Sequence, residues 1–334
     1  MTASLSAKLR SANVLMTLLI VTLHSNMKEI YPVTILTDMA VPTFFCISSF
    51  LYFQNWQPSR ALYIRKIRSR VKSLLIPYLL YNILFYVYYL IKAYAFHLPV
   101  PKDIPIAPWD ALVCIVSSVP DGPLWFIREL LVFVVTAPLF GVIIRKYKYS
   151  VVFLIVGGIV VAQYMGYSFF LHWIPCFSIG CFFALYQQEI ALWYETTKGR
   201  LWNRILISTP VLPLVIVVLC CLLFYQSPSQ GLPYYLYRIS APLLVMLVYI
   251  KADPLPQRFV RAVSPYTFYA YGIHVLFIWN IHGVLLRLNY VTEEGVYPLE
   301  FLFTLVCTLL LIYVTGSVLR RIPLVWSLLT GFRQ

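Results

Sequence analysis

Charged side chains are scarce in this sequence, and acidic ones are the scarcest. Only 11% of the 334 residues are charged, and just 12 are Asp or Glu. Soluble domains carry roughly 25% charged residues, so a chain that is 61% hydrophobic could not bury its apolar surface in an aqueous fold. The shortage of charge excludes a soluble class of protein, and we predict no soluble domain in the chain.

Two further features are missing. The basic stretch Met1–Arg10 runs into apolar sequence without a small-residue cleavage site, so we predict a signal anchor rather than a cleaved signal peptide. The seven cysteines lie mostly in apolar runs, where cysteine behaves as a small hydrophobe, and none has zinc-ligand spacing with a nearby histidine. We therefore predict no metal cofactor.

Long apolar runs dominate what is present. A transmembrane helix needs about 20 consecutive apolar residues, and continuous runs favour helices over the short alternating segments of a membrane barrel. We predict an all-α fold, a polytopic helical bundle of about ten transmembrane helices that forms a single domain over 1–334. The predicted spans are 12–27, 38–56, 74–95, 123–144, 150–166, 168–186, 207–225, 233–250, 264–282 and 299–319.

Basic residues indicate the orientation of these spans. With the N-terminus inside, most of the 26 Lys and Arg residues fall on the inner side, and the outer side receives only Lys28, Lys92, Lys102 and Arg287. Cytoplasmic loops carry an excess of Lys and Arg, so we predict a multi-pass protein of the cell membrane with both termini in the cytoplasm. The same rule explains the net charge of +14 without a nucleic-acid partner.

Several ionisable residues lie within the predicted spans, where each costs about 2.5–3.5 kcal/mol on insertion scales. The set is His24, Arg128, Glu129, Arg238, His274 and His282. The first five lie at similar depth in the outer half, which predicts a polar cavity open toward the outer face. We interpret His282, at the membrane edge, as structural, and His97 and His172 as loop or interface residues.

Each member of this set also has a simpler interpretation. His24 could lie at the membrane interface, Arg128 could extend to the outer headgroups, and His274 could be a hydrogen-bonded core histidine. Glu129 could only neutralise a cation such as Arg128 or Arg238. Adjacent helical residues point about 100° apart, so we expect the partner of Glu129 on another helix.

One inner loop is unusually basic, since Arg60–Lys72 contains six Lys or Arg residues. Arg65, Arg68 and Lys72 have helical spacing and share a face if this segment is helical. Two interpretations remain open. The loop is an orientation signal that touches anionic lipid, or it binds a cytoplasmic ligand that carries phosphate, which arginine can clamp in bidentate fashion.

Five motifs occur in an order that resembles one known family. They are an apolar helix ending in histidine, Leu15–His24; a second apolar span, Val41–Leu51; a basic run into Pro-Tyr, Arg65–Tyr78; a Gly-x-Leu-Trp-Phe entry to a span, Gly122–Arg128; and a late span with Tyr-x-x-His, Ser264–His274. Together they resemble the acyltransferase 3 family of integral membrane O-acyltransferases. The resemblance covers most of the chain.

The resemblance implies a membrane O-acyltransferase, with O-acetyl transfer as the default. Such proteins move an acyl group from cytoplasmic acyl-CoA to a hydroxyl of an extracytoplasmic glycan. We therefore expect acetyl-CoA as the donor, a glycan or lipid-linked glycan as the acceptor, and membrane lipids as further partners. The oligomeric state stays open, with a homodimer as one option.

The resemblance also implies roles for individual residues. His24 matches the family's catalytic histidine and acts either as general base or as covalent acyl carrier. Arg128 would stabilise the developing oxyanion, and Glu129 would orient or balance a cation. The other predicted contacts are to acyl-CoA, by Arg65, Arg68, Arg70 and Lys72, and to the acceptor, by Trp125, Arg238 and His274.

The chain departs from the family pattern at two positions. Asn13 stands where arginine is usual, so that role passes to Arg10, to Arg128 or to no residue, and Ser49 stands where glycine is usual. Two other functions remain open on the sequence. One is a polytopic transporter or flippase of a glycan or lipid precursor, which fits the buried charges, and the other is a non-catalytic membrane scaffold.

Overall fold

The computed structural model describes residues 3–25, 30–98, 104–117, 120, 122–165, 170–197, 232–251, 255–291 and 298–332, with four isolated positions between 215 and 222. Throughout these residues the regular structure is helical and contains no strand, which confirms the all-α prediction. The chain divides into two compact units, and the single domain over 1–334 stays a prediction.

The described residues form a series of helices. In chain order they are α1 (Ala3–Ser25), α2 (Tyr31–Asp38), α3 (Ala40–Phe53), α4 (Arg60–Arg70), α5 (Ile76–Leu90), α6 (Pro108–Val116), α7 (Trp125–Lys146), α8 (Ser150–Met165), α9 (Ile174–Leu185), α10 (Gln187–Thr197), α11 (Leu232–Lys251), α12 (Gln257–Val263), α13 (Thr267–Arg287), α14 (Pro298–Leu319) and α15 (Pro323–Thr330). A π-helical turn over Val71–Leu75 joins α4 to α5, and a 3₁₀ turn over Ser264–Tyr266 joins α12 to α13.

Five stretches of the described residues are long and apolar enough to cross a membrane. They are Val33–Phe53, Arg60–Ala95, Gly122–Lys146, Gln257–Arg287 and Pro298–Leu319. Predicted spans 150–166 and 168–186 coincide with shorter apolar helices, and 12–27 and 233–250 largely coincide with α1 and α11. Span 207–225 lies outside the described residues apart from the isolated positions. The chain is therefore a helical membrane protein, and the count of about ten spans stays a prediction.

The first unit comprises 1–16, 35–63 and 135–261, and α3 crosses α9 closely within it. A β-carbon on Gly180 would lie 2.1 Å from the Cys46 carbonyl oxygen, so only hydrogen fits there. Ser49 uses this proximity, because its hydroxyl donates a 2.6 Å hydrogen bond to the Phe177 carbonyl oxygen. Small residues let membrane helices approach this closely. Gly180 on α9 therefore makes room for Ser49 on α3, the position where glycine is usual.

The second unit comprises 17–34, 64–134 and 262–334, and α13 packs there against α5, α14 and α15. A β-carbon on Gly272 of α13 would lie 2.3 Å from the Tyr81 ring of α5, and Gly316 of α14 leaves similar room for Tyr266. Glycine at these points lets an aromatic ring lie directly on a helix backbone. The packing buries every residue of α13 from Phe268 to Val275, and this stretch contains His274.

Candidate active site

Two histidines meet inside the second unit. His24 lies on the last turn of α1, and its ring centroid is 5.0 Å from that of His274 on α13, with the rings tilted by 48°. His24 is half-buried, whereas His274 is only 1% exposed. A partly exposed histidine therefore lies next to a buried one.

Hydrogen bonding fixes the tautomer of His274. Its Nδ1 lies 2.9 Å from the carbonyl oxygen of Tyr271 and 3.1 Å from that of Ala270, and carbonyl oxygens only accept, so Nδ1 donates. The other nitrogen, Nε2, is buried and has no hydrogen-bond partner among the described residues. Because Nδ1 already carries a hydrogen, a second hydrogen on Nε2 would place a positive charge on a buried ring, which is costly, so we take the ring as neutral with a lone pair on Nε2.

Tyr271 connects the histidine pair to the start of α7. Its ring centroid lies 6.1 Å from that of His274 and 6.0 Å from that of Phe126. Its hydroxyl donates a hydrogen bond to the Pro123 carbonyl oxygen. Tyr271 is not among the predicted site residues, although its position three residues before His274, on one helical face, is a signal that indicates it.

Arg128 and Glu129 lie on the second turn of α7 and pair with each other. Arg128 Nη2 donates to Glu129 Oε1 at 2.7 Å, and its Nη1 donates to the Ser117 carbonyl oxygen at 2.7 Å. The expectation that the partner of Glu129 lies on another helix is wrong, because the long arginine side chain bends across the 100° between adjacent residues. The side chain of Arg128 is 39% exposed and that of Glu129 is 9% exposed, and Trp125 is half-buried on the preceding turn.

The basic segment Arg60–Lys72 is helical. This is the condition under which its evenly spaced cations share a face. Helix α4 ends at Arg70, and the π-helical turn that follows contains Lys72. Arg65, Arg68 and Lys72 are exposed, whereas Arg70 is half-buried. We call the three exposed cations the basic face.

Arg238 belongs to the first unit and is 6% exposed. Its Nε lies 3.7 Å from Asp38 Oδ2, its Nη1 donates to His172 Nε2, and its guanidinium lies over the rings of Trp173 and Tyr234 at 4.5 and 4.2 Å. His172, interpreted from the sequence as a loop or interface residue, lies on the 3₁₀ turn Phe170–Trp173 between two helices. It is 4% exposed and accepts a hydrogen bond from the buried cation. The contact of Arg238 with an acceptor stays a prediction.

Breaking the Arg238 cluster is expected to destabilise the first unit. Arg238→Met keeps apolar bulk between the aromatic rings but leaves Asp38 without its cation. Removing one partner of a buried ion pair costs about 3–5 kcal/mol, and we expect about 2–4 kcal/mol because the Asp38 side chain is 24% exposed. Thermal unfolding in detergent measures the loss.

The double variant Asp38→Asn, Arg238→Met is the control for this prediction. It removes both charges, so it should recover part of the stability that the single variant loses. A single variant that unfolds at the wild-type temperature would contradict the structural role, and a normal stability with weaker acceptor binding would favour the substrate contact instead.

His282 links α13 to α14 through a side-chain contact with Glu300. Its Nδ1 lies 2.5 Å from Glu300 Oε1, and the two side chains are 15% and 6% exposed. A buried contact of this kind joins the two helices, which agrees with the structural interpretation of His282.

The fold and these contacts define a helical membrane protein that holds paired histidines among apolar helices. A family model described as an acyltransferase domain, Acyl_transf_3, matches residues 13–317, nearly the whole chain. The chain belongs to the acyltransferase 3 family and is a membrane acyltransferase, so the resemblance carried by the five motifs is confirmed. No curated protein and no solved structure matches the chain.

Proposed function

We propose that this protein is an O-acetyltransferase that moves an acetyl group from cytoplasmic acetyl-CoA to a hydroxyl of an extracytoplasmic glycan. The observation that carries the proposal is the half-buried His24 backed by the buried His274, in a chain of an acyltransferase family. Histidine is the side chain most often used for proton transfer near neutral pH. A histidine accessible on one side suits a reaction in which a hydroxyl must lose its proton.

As a general base, His24 takes the proton of the acceptor hydroxyl while the hydroxyl oxygen forms a bond to the thioester carbonyl carbon. The carbon–sulfur bond then breaks, and the thiolate of coenzyme A leaves with the proton that His24 held. Negative charge builds on the carbonyl oxygen between these steps, and Arg128 is the proposed cation that stabilises it. Glu129 holds that guanidinium through the 2.7 Å contact.

As an acyl carrier, His24 attacks the thioester carbon itself and releases the thiolate. In a second step the acceptor hydroxyl oxygen bonds to the acetyl carbon, the bond from that carbon to the ring nitrogen breaks, and the hydroxyl proton passes to the released ring. Both routes use the same histidine at the same place, so the assignment of His24 does not depend on the choice between them.

The basic face, with Arg70 beside it, is the proposed binding surface for the donor. Coenzyme A carries several phosphate charges, and arginine forks bind phosphate through paired hydrogen bonds. The positive-inside rule predicts this surface on the cytoplasmic side of the cell membrane. Trp125, half-buried one turn before Arg128, is the proposed contact for the glycan on the opposite side.

Mass spectrometry of cell-surface glycans tests the proposed function. Cells that express the chain are compared with cells that lack it for base-labile acetyl esters, and membranes from both are incubated with labelled acetyl-CoA. We expect esters, and label in the glycan fraction, only when the chain is present. A changed amount of surface glycan with unchanged acetylation would indicate a transporter or flippase and would overturn the proposal.

Neutralising the basic face is expected to weaken donor binding more than the chemical step. For the triple variant Arg65→Gln, Arg68→Gln, Lys72→Gln, we expect the KM for acetyl-CoA to rise about tenfold or more. The physical reason is that hydrogen bonds to charged groups contribute roughly 1.5–3 kcal/mol each before solvent screening. The kcat should change much less, because these cations do not touch the reacting atoms, and initial rates at varied acetyl-CoA measure both constants.

A matched control removes three exposed cations from other predicted inner loops, through Arg145→Gln, Lys146→Gln and Arg258→Gln. Lys148 is kept because it pairs with Glu189 at 2.5 Å. Equal effects in the two triple variants would mean that a general attraction between an anion and a basic surface explains the KM. An unchanged KM in the basic-face variant would remove these residues from the donor site.

A further inference from the structure

We infer that His274 is a positioning residue that acts through His24, with its Nε2 lone pair accepting a hydrogen bond from a ring N–H of His24. The inference rests on the proposed function, because it concerns how His24 is held during acyl transfer. The sequence predicted that His274 contacts the acceptor. In the inferred role, His274 instead supports His24, the reacting histidine.

Burial separates the roles of the two histidines. His274 is 1% exposed, and its neighbours along α13 from Phe268 to Val275 are all buried. His24 is half-buried at the end of α1. A substrate therefore has more access to His24 than to His274, which is closed off by its own helix and the helices around it.

The buried Nε2 atom of His274 points to a further hydrogen-bond partner. Buried polar atoms nearly always have a hydrogen-bond partner, and Nδ1 has two in the carbonyl oxygens of Ala270 and Tyr271. Nε2 has none within the described part of the chain. A separation of 5.0 Å between ring centroids leaves the facing edges of His24 and His274 within hydrogen-bond reach once a nitrogen of each ring points toward the other.

This contact would set which nitrogen of His24 is free to react. If one ring nitrogen of His24 donates its hydrogen to His274, the other nitrogen holds a lone pair and faces the acceptor hydroxyl. When that nitrogen takes the hydroxyl proton, the positive charge of the His24 ring is stabilised through the hydrogen bond to His274. The proton then leaves with the thiolate, so His274 gains and loses no proton over the cycle.

A neutral imidazole suits this task within an apolar bundle. In serine hydrolases a buried aspartate holds the catalytic histidine in its tautomer, but an extra carboxylate among apolar membrane helices is costly. His274 supplies an acceptor without adding a charge. Its own orientation is set by the backbone carbonyls of Ala270 and Tyr271, which belong to the same helix and move with it.

Two variants that each keep half of the imidazole separate positioning from a structural role. His274→Asn keeps a donor near the position of Nδ1 and so keeps the bond to the backbone, but it has no acceptor at Nε2. His274→Gln places an acceptor oxygen near Nε2 and gives up the Nδ1 donor. A positioning role expects kcat to fall about 10²-fold in the Asn variant and by less in the Gln variant, with the KM for acetyl-CoA unchanged in both. A structural role expects the opposite order, because the Asn variant preserves the backbone bond, and that order would overturn the inference.

Assays on the same membranes distinguish a failure of this inference from a failure of the proposed function. Rates are divided by the amount of folded protein, measured by size-exclusion chromatography of a fluorescent fusion. If His24→Ala loses transfer but His274→Asn matches the wild type, only the inference fails. If the wild type shows no transfer, or His24→Ala keeps it, the proposed function fails. The double variant His24→Ala, His274→Asn should match His24→Ala alone, because His274 then has no ring to hold, and a further loss in the double variant would overturn the inference.

Discussion

Replacing His24 with alanine is expected to lower acetyl transfer by about 10²–10⁴-fold, the range that a positioned general base contributes. His24 is half-buried on the last turn of α1, so the truncation removes the reacting ring without opening a fully buried core. We therefore expect the variant to fold and to bind acetyl-CoA with a normal KM. Initial rates of transfer from labelled acetyl-CoA in isolated membranes measure the loss.

His97 supplies a matched control for His24. It is an exposed histidine of the second unit with a backbone φ of 50°, a left-handed conformation that asparagine tolerates. His97→Asn should transfer acetyl groups at the wild-type rate. Equal losses in the two variants would indicate a general defect, and full activity of His24→Ala would remove this residue from the chemistry.

The alanine variant also separates the general base from the acyl carrier. Without an acceptor, a carrier histidine collects the acetyl group of labelled acetyl-CoA on its ring, whereas a base does not. The protein is mixed with the donor alone, denatured and analysed by mass spectrometry. Label on His24 that is absent from His24→Ala indicates a carrier. An unlabelled protein that transfers normally once acceptor is added indicates a base.

Replacing Gly180 with valine is expected to prevent the first unit from folding. The first added carbon would lie 2.1 Å from the Cys46 carbonyl oxygen and 2.8 Å from the Ser49 β-carbon, and a backbone oxygen cannot rotate aside. Overpacking costs about 1–3 kcal/mol and occasionally more, and separation of α3 from α9 would also break the hydrogen bond from Ser49 to Phe177. We expect a loss above about 4 kcal/mol, a large part of the roughly 5–15 kcal/mol that stabilises a typical protein. The yield of monodisperse protein after detergent extraction and its unfolding temperature measure the effect.

Gly157→Ala is the control for the helix crossing. Gly157 lies on α8 of the same unit, and none of the described residues places an atom within 4 Å of its ideal β-carbon. Alanine there should be neutral or stabilise the helix by roughly 0.5–1 kcal/mol. If Gly180→Val extracts and unfolds like this control, the close approach of α3 and α9 is not needed for folding.

Properties that depend on residues close together in the sequence could be predicted from the sequence alone. The shortage of charge and the long apolar runs identified membrane helices, since the cost of placing a side chain in lipid is set residue by residue. Helical spacing alone predicted that Arg65, Arg68 and Lys72 share a face, and the segment is helical with all three exposed. The five motifs pointed to the family in the same way, because each motif is a local pattern and their order is read directly from the sequence.

Which ionisable side chains contact each other could not be predicted in this way. Arg128 could have paired with a distant helix, but its flexible side chain reaches the adjacent Glu129. Arg238 could have paired with Glu129, but its partners in the described residues include His172 and Asp38 of the first unit. Side-chain length and rotamer choose between such partners, and neither follows from position along a helix.

The amino-acid sequence alone predicted a helical membrane protein, its family and His24 as the candidate reacting histidine. Only the packed structure showed that His274 lies beside His24 and that its Nδ1 is hydrogen-bonded to its own helix, while its Nε2 has no hydrogen-bond partner among the described residues. The physical reason is that hydropathy and helical period act between near neighbours in the chain. Which faces of two distant helices meet depends on side-chain shape, as at Gly272 and Tyr81, and that is decided when the helices pack.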